Sequence, residues 1–419
     1  MFATIKEVFK TYSREDVVIA EHVADPHLGF DGRPSRYNEF KALRVDKLIN
    51  GQNARTWDVN EAFKQTIDIA LNFGKDFLDK PGVDIYLNAG DGFDKPGFKK
   101  NFIENFYTTQ YLRLSKCDIP VVEIVGNHNF PSEKGEGCHL ERVSHHEGMH
   151  MVYRGLYEPL HFEHLNIVIH CVPSTHNQKV LDGELAKVER VDGKINIGLG
   201  HWGVTSLKFY AENADKSLVV DLDRVIACNM DYFALGDYHT AKDLGHNIQY
   251  SGAIERLGAD EVDNIPQVMM VAFEKKTGKV LCKEPIFLNA RPMEKLIVNA
   301  EGKEIETINY EIQAALESID VTDKIIILKV LAIPREKKQL IDQHLIRELT
   351  KDALALDLDI ERVDRLKGVQ SDGRVSKRVS VLEGWEPFAR KIPSDGSFDK
   401  EKIITKGYAV LRKVLEDEA

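Results

Sequence analysis

Val83-Asp84-Ile85-Tyr86-Leu87-Asn88-Ala89-Gly90-Asp91 is the stretch whose reading decides the fold. An apolar run of this length reads as a buried strand, and the Gly-Asp pair ends it in a turn that carries an acid. The same pattern recurs four times. Val17–Val23 leads to Asp25-Pro26-His27, and Ile119-Pro120-Val121-Val122-Glu123-Ile124-Val125 leads to Gly126-Asn127-His128. Ile195–Leu199 leads to Gly200-His201, and Tyr232–Leu235 leads to Gly236-Asp237-Tyr238-His239. Polar side chains that follow separate strands can converge on one edge of a sheet, where open α/β folds place their ligands.

Working outward, Asn60 to Leu78 carries Ala62, Phe63, Ile67, Ala70, Leu71, Phe73 and Phe77 at helical spacing, and Phe102 to Leu114 predicts a second helix. Strand, helix, strand order predicts an α/β fold. Residues 31–58, with Gly32, Pro34, Asn50, Gly51 and Asn53, read as a loop inserted near the strand ends. Leu165–Cys171 is a further strand candidate, and Val268–Phe273 with Lys279–Cys282 reads as a hairpin that closes a first domain, 1–290. Lys295–Val298, Ile308–Ile319, Lys324–Val330 and Gln339–Leu354 then read as strand, helix, strand and helix. They predict a small separate α/β domain, 291–370. Residues 371–419 open on a charged connector around Ser371-Asp372-Gly373-Arg374. Two amphipathic segments follow, Val381–Lys391 and Lys400–Leu415.

With 43% apolar and 29% charged residues, the 419-residue chain has the composition of ordinary globular protein. No apolar run approaches the roughly 18 residues of a membrane span. Residues 1–16 hold no apolar core of a secretory signal, so a cytoplasmic protein without membrane association is expected. Cys117, Cys138, Cys171, Cys228 and Cys282 never form a CxxC pair, which predicts buried free thiols in a reducing compartment. The net charge of −11 argues against a protein that coats DNA non-specifically, because that affinity comes from Lys and Arg neutralising phosphates. It leaves local DNA contacts and a DNA-binding partner open.

Asp, His and Asn without Cys suit manganese, magnesium, iron or zinc. A carboxylate such as Asp91 can bridge two ions about 3.5–4 Å apart, which position and acidify a water. A neighbouring imidazole can protonate a departing alkoxide, and His128, beside Asn127, is the candidate for that acid. A Gly-Asp pair alone is usually a turn. Two polar ligand types directly after an apolar strand are costly unless used, and it is the five motifs together that carry the argument.

On Ala24–Gly29 (ADPHLG), Gly90–Asp94 (GDGFD), Gly126–His128 (GNH), Gly200-His201, Leu235–Thr240 (LGDYHT) and Tyr250–Arg256 (YSGAIER), the chain resembles the calcineurin-like metallophosphoesterases. Within them it is similar to the SbcD-type nuclease subunits of DNA double-strand-break processing complexes. The similarity continues through Ala290–Leu296 and Ala314–Val330, which look like that family's capping domain, and into the closing helices, which look like its ATPase-docking tail. The resemblance implies a sandwich of β-sheets flanked by helices. It implies one metal on Asp25, His27, Asp91 and His239, and another on Asp91, Asn127, His201 and Asp237. His128 becomes the transition-state stabiliser or proton donor, and the ions are two Mn2+, with Mg2+ as the alternative. The implied activity is phosphodiester hydrolysis at DNA ends, as exonuclease and endonuclease, in repair, recombination or replication. The implied partners are DNA ends, an SbcC-type coiled-coil ATPase docked on the C-terminal helices, and a second copy of the chain in a homodimer.

The chain departs from that family twice. Asp237 stands where His is usual, which adds a negative, harder donor and favours manganese or magnesium, unless Asp237 stands behind the ligands instead. Asn129 stands where Asp is common, which bears on how His128 is held. Two rival readings follow: a phosphomonoesterase or cyclic-nucleotide phosphodiesterase, which would not need the segment after Pro292, and a DNA-end-binding structural subunit without catalysis. His139, His145, His146 and His150 match no ligand spacing and are expected on a solvated or partly buried helix and loop, and His22 is expected to be structural. Arg33, Arg36, Lys41, Arg44, Lys99 and Lys100 either meet phosphate or form a solvated face. Tyr37, Phe40 and Trp57 either stack on unpaired bases or anchor the insertion.

Overall fold

Every residue of the strand Val17–Val23 is buried, as happens when a sheet is covered on both faces. Its alternate side chains enter different cores: Val18 and Ala20 point one way, and Ile19 and Val23 the other. The computed structural model that shows this describes residues 2–32, 47–95, 101–130, 137–212, 218–362, 401 and 404–407. They divide between two compact units, Met1–Ile360 and Glu361–Ala419.

The first unit is built on two six-stranded mixed sheets. One runs Val280–Phe287, Gln267–Glu274, Val17–Val23, Ile85–Asn88, Val121–Ile124, Met149–Val152. The last four strands are parallel and the first two antiparallel. The other runs Lys242–Asp243, Ile248–Tyr250, Tyr232–Gly236, Ile195–His201, Ile167–Val172, Glu158–Phe162, with the four inner strands parallel. Ile85, Leu87, Val122 and Ile124 of the first sheet share a core with Ile167, Ile169, Ile197 and Leu199 of the second, so the sheets lie face to face. Val59, Phe63 and Ile67 of the helix Ala54–Asn72, with Tyr107 and Tyr111 of the helix Asn101–Ser115, cover the outer face of the first. Leu181 and Leu185 of the helix Gln178–Leu185 and Val225 of Leu222–Ala227 cover the outer face of the second. The layers are helix, sheet, sheet, helix.

A further sheet, Met293–Asn299, Ile325–Ile333, Ala355–Arg362, carries the helices Ile305–Glu317 and Gln343–Leu349 on its own aliphatic core. The other face of its middle strand joins the sandwich, because Ile325 and Ile327 pack with Met293, Ala54, Ala259 and Val262. Arg291 adds an ion pair to Asp58, 2.6 Å away. Of Glu361–Ala419, residues 404–407 are helical. No described helix is long and apolar enough to cross a membrane.

Several elements differ from expectation. The helix expected over Asn60–Leu78 starts at Ala54, because Asn53 Oδ1 accepts the Arg55 and Thr56 N–H groups at 2.9 and 3.4 Å as an N-cap. Trp57 therefore lies in this helix and not in a loop, and the helix ends at Asn72, short of Leu78. The predicted helix Gln339–Leu354 shortens to Gln343–Leu349, and the strand Ala355–Arg362 was not anticipated. Cys138, Cys171 and Cys282 are buried free thiols as expected, but Cys117 is exposed and Cys228 half-buried. Arg36, Tyr37, Phe40, Lys41, Arg44, Lys99, Lys100 and the segment Val381–Lys391 lie outside the described residues, as do Arg33 and most of Lys400–Leu415.

Candidate metal centre

Five parallel strands from both sheets end on one edge, and all eight predicted site residues stand there. Asp25 and His27 follow Val17–Val23, Asp91 follows Ile85–Asn88, and Asn127 and His128 follow Val121–Ile124. His201 ends its strand, and Asp237 and His239 follow Tyr232–Gly236. The turns are unusual: Asp25, His27, Asp91 and Asp237 have φ of 53°, 49°, 54° and 88°. Left-handed backbone costs such residues about 1–3 kcal/mol each, and it persists only where the surroundings impose it. Here the Asp25 and His27 N–H groups donate to the carbonyls of Gly90 and Asp91 at 3.1 and 2.8 Å, locking two turns together. Gly126 has to be glycine, because a Cβ there would collide with the Asp91 carboxylate.

His201 Nδ1 donates to the Ala89 carbonyl at 2.7 Å, which fixes the ring. Its Nε2 then faces three oxygens: Asn127 Oδ1 at 3.0 Å, Asp91 Oδ2 at 3.2 Å and Asp237 Oδ1 at 3.7 Å. On the other side of Asp91, 3.8 Å from its Oδ2, His27 Nε2 lies 3.2 Å from His239 Nε2, which is 3.9 Å from Asp25 Oδ1. Asp25, His27 and His239 form one group whose ligand atoms lie within 4.8 Å of one another, and Asp25, Asp91 and His201 form another. Three further residues to which the sequence reading gives no role complete the arrangement. Glu261 Oε1 lies 2.6 Å from His239 Nδ1, Tyr210 donates its hydroxyl to Asp237 Oδ2 at 2.6 Å, and Asp94 groups with His27 and His128.

The charges explain what such a cluster needs. Burial lifts the Asp25 carboxyl to about 6 against the pull of His239 and His201. Burial also opposes charge on Asp91, but His201, His128 and His27 outweigh it and hold this carboxyl below the usual range. Desolvation works against a charged His201, yet Asp91, Asp25 and Asp237 raise it to about 10. His239 reaches about 9, since Glu261 and Asp25 outweigh its burial. Protons held on Nε2 of these two rings occupy the place that a divalent cation would take. The oxygen and imidazole donors, with second-layer partners on His201 and His239, fit a hard or borderline metal ion. The buried His and Asp groups can therefore hold one.

His128 donates its backbone N–H to Asp91 Oδ1 at 2.9 Å, and its Nδ1 donates to the Asp94 carbonyl at 3.1 Å. Asn129 does not hold this ring; its Oδ1 accepts the Gly126 N–H at 2.8 Å and closes the turn. His139, 2.5 Å from Glu104, starts a short helix, and His150 lies on a strand. Among the described residues neither joins a metal-type group. His22 is structural, 2.9 Å from the buried Tyr232 hydroxyl.

No protein-family model matches the chain, and no curated protein matches it.

Proposed function

We propose that the chain is a two-metal phosphodiesterase acting on DNA, a nuclease of the calcineurin-like SbcD kind. The observation that supports this reading most directly is Asp91, which lies between the two imidazole groups, with His201 on one side and the His27–His239 pair on the other. One carboxylate shared by two donor sets is what a pair of cations a few ångströms apart requires. The cations, manganese in preference or magnesium, would supply Lewis acidity toward a water and a phosphoryl oxygen. Asp25, His27, Asp91 and His239 would hold one, and Asp91, Asn127, His201 and Asp237 the other.

The remaining chemistry belongs to the chain. The carbonyl of Asp94 fixes His128 with its proton on Nδ1, leaving Nε2 to carry the second proton. The attacking water first loses a proton to solvent; as the resulting hydroxide oxygen bonds to phosphorus and the opposite P–O bond breaks, His128 Nε2 would pass its proton to the departing alkoxide and be left neutral. On this reading residues 291–370 contact DNA as a capping domain, and 371–419 dock a coiled-coil ATPase. The protein acts in the cytoplasm as a homodimer.

Nucleotide release from end-labelled linear DNA with manganese tests this. The wild type releases nucleotides, and His128→Ala lowers the rate by about 10²–10⁴-fold while retaining bound manganese. Hydrolysis of a small phosphodiester without any cutting of DNA would favour the small-substrate reading. Manganese binding without hydrolysis of either would favour a structural subunit.

A further inference from the structure

Asp237 turns its two carboxylate oxygens to different partners. Oδ1 lies 3.7 Å from His201 Nε2, the atom that Asn127 Oδ1 and Asp91 Oδ2 also face. Oδ2 accepts the Tyr210 hydroxyl at 2.6 Å. The backbone of Asp237 is pinned, with a φ of 88° and its N–H donating to Asp25 Oδ1 at 3.1 Å. The phenol is held as firmly. Tyr210 is 2% exposed and packs in the core on the outer face of the second sheet with Val204, Phe233 and Tyr250. It belongs to the short helix Lys208–Glu212, and its ring lies against Gly203, where a Cβ would collide with it. Tyr238 flanks it, with ring centroids 5.9 Å apart. A ring confined in this way brings its hydroxyl to one place.

We propose that Tyr210 is a positioning residue that confines Asp237 to coordination through one oxygen, and so sets the cation site of Asp91, Asn127, His201 and Asp237 against calcium; this rests on the two-metal reading above. A phenol keeps its proton near neutral pH and donates it. Oδ2 therefore stays turned to Tyr210 while Oδ1 faces the imidazole and the other donors. A carboxylate held like this cannot close on an ion with both oxygens. Calcium takes about six to eight oxygen ligands and accepts carboxylates through both atoms, whereas magnesium demands a compact octahedral set, which manganese also suits. The His201 nitrogen in the set already disfavours calcium, and the phenol withholds the additional oxygen that would offset this. Without the hydroxyl, Oδ2 is free to turn toward the ion.

The test compares the wild type with Tyr210→Phe, which keeps the ring and its packing and removes only the hydroxyl. Protein loaded with manganese is titrated with calcium while the electron paramagnetic resonance of released Mn2+ is followed, and calorimetric titrations with each ion alone give the separate affinities. The wild type prefers manganese. In Tyr210→Phe the ratio of manganese to calcium affinity should fall by about 10–100-fold at one bound ion, the usual effect of removing a group that orients a ligand, and calcium should bind more tightly than it does to the wild type. The ion that does not use Asp237 should keep its ratio. A structural role alone would weaken both ions by the same factor. No preference for manganese in the wild type, or a ratio that Tyr210→Phe does not lower, overturns the role of Tyr210, while hydrolysis of DNA by the manganese-loaded wild type keeps the phosphodiesterase reading. A lowered ratio in a protein that hydrolyses neither DNA nor a small phosphodiester keeps the role of Tyr210 and overturns that reading. A wild type that binds no manganese overturns both.

Discussion

The edge that gathers Asp25, Asp91 and Asp237 and the small sheet of Met293–Asn299, Ile325–Ile333 and Ala355–Arg362 are organised on opposite terms. In the small sheet Val298, Ile308, Ile312, Leu316, Ile326, Leu328 and Val330 meet as hydrocarbon, and each contact favours folding by itself. At the metal edge four side chains sit on left-handed backbone, and buried carboxylates crowd together with imidazoles. Those groups oppose folding until protons or cations neutralise them. Stability in this chain thus comes from the aliphatic layers, and the strand ends draw on it.

The comparison breaks most visibly at Asp25. Asp25→Asn removes a ligand of one proposed cation and should lower phosphodiesterase activity by at least about 10²-fold. It should nevertheless raise the melting temperature of the metal-free protein at pH 8. The folded carboxyl is held near 6, above its ordinary 3.8, so the native state binds more protons than the unfolded one between these values. The penalty grows as pH rises through that window and is fully present above it. An Asn oxygen can still accept the Asp237 N–H that Asp25 accepts at 3.1 Å. A fall in melting temperature in EDTA would contradict the contrast.

Leu328→Ala moves the other way. Truncating this fully buried side chain should cost about 2–5 kcal/mol, measured by urea unfolding in EDTA. The folded fraction should bind manganese as before, since Leu328 packs with Ile312 and Val330 and not with the metal edge. Loss of manganese affinity in the folded fraction would mean that the two regions do not act independently.

How far each region could be read in the sequence follows the same division. Asp91, Asn127 and His201 are legible because each ends its own strand or follows it within a few residues, so local order is enough to place them. Glu261 and Tyr210 are not, because their roles exist only after chain segments far apart have met, and Asp94, although it stands in the Gly90–Asp94 motif, is given no role by its spacing alone. Glu261 reaches His239 from a short helical turn, Ala259–Glu261, with no spacing that marks it. Asn129 shows the converse error, since a residue next to His128 in sequence holds the turn and not the ring. The strand Ala355–Arg362 did carry a signal: Leu356, Leu358 and Ile360 alternate with Asp357, Asp359 and Glu361, and the three apolar residues pack on the aliphatic core. Asn53 likewise marked the start of its helix as an N-cap residue ahead of Ala54.

Glu261 supplies the smallest and sharpest prediction, because it belongs to both regions. Its carboxylate holds His239, while its neighbours Ala259 and Val262 pack against Ile325 and Ile327 of the small sheet. Glu261→Gln is nearly isosteric and can still accept the Leu257 N–H that Glu261 Oε2 accepts at 2.6 Å. It removes the negative charge that raises His239 to about 9. Manganese affinity should fall by about 10–100-fold, the usual effect of removing a carboxylate behind a ligating histidine. The pH dependence distinguishes this from simple loosening. A cation needs the unprotonated His239 Nε2, so wild-type affinity rises with pH until His239 no longer holds its proton, near 9. In Glu261→Gln the proton is held less tightly, and the contribution of His239 to that rise should level off at lower pH. Calorimetric manganese titrations in buffers of different ionisation enthalpy measure both effects, the second as fewer protons released at pH 8. An unchanged proton count with weakened binding would assign Glu261 to packing of the turn and leave the charge on His239 to Asp25 and Asp91.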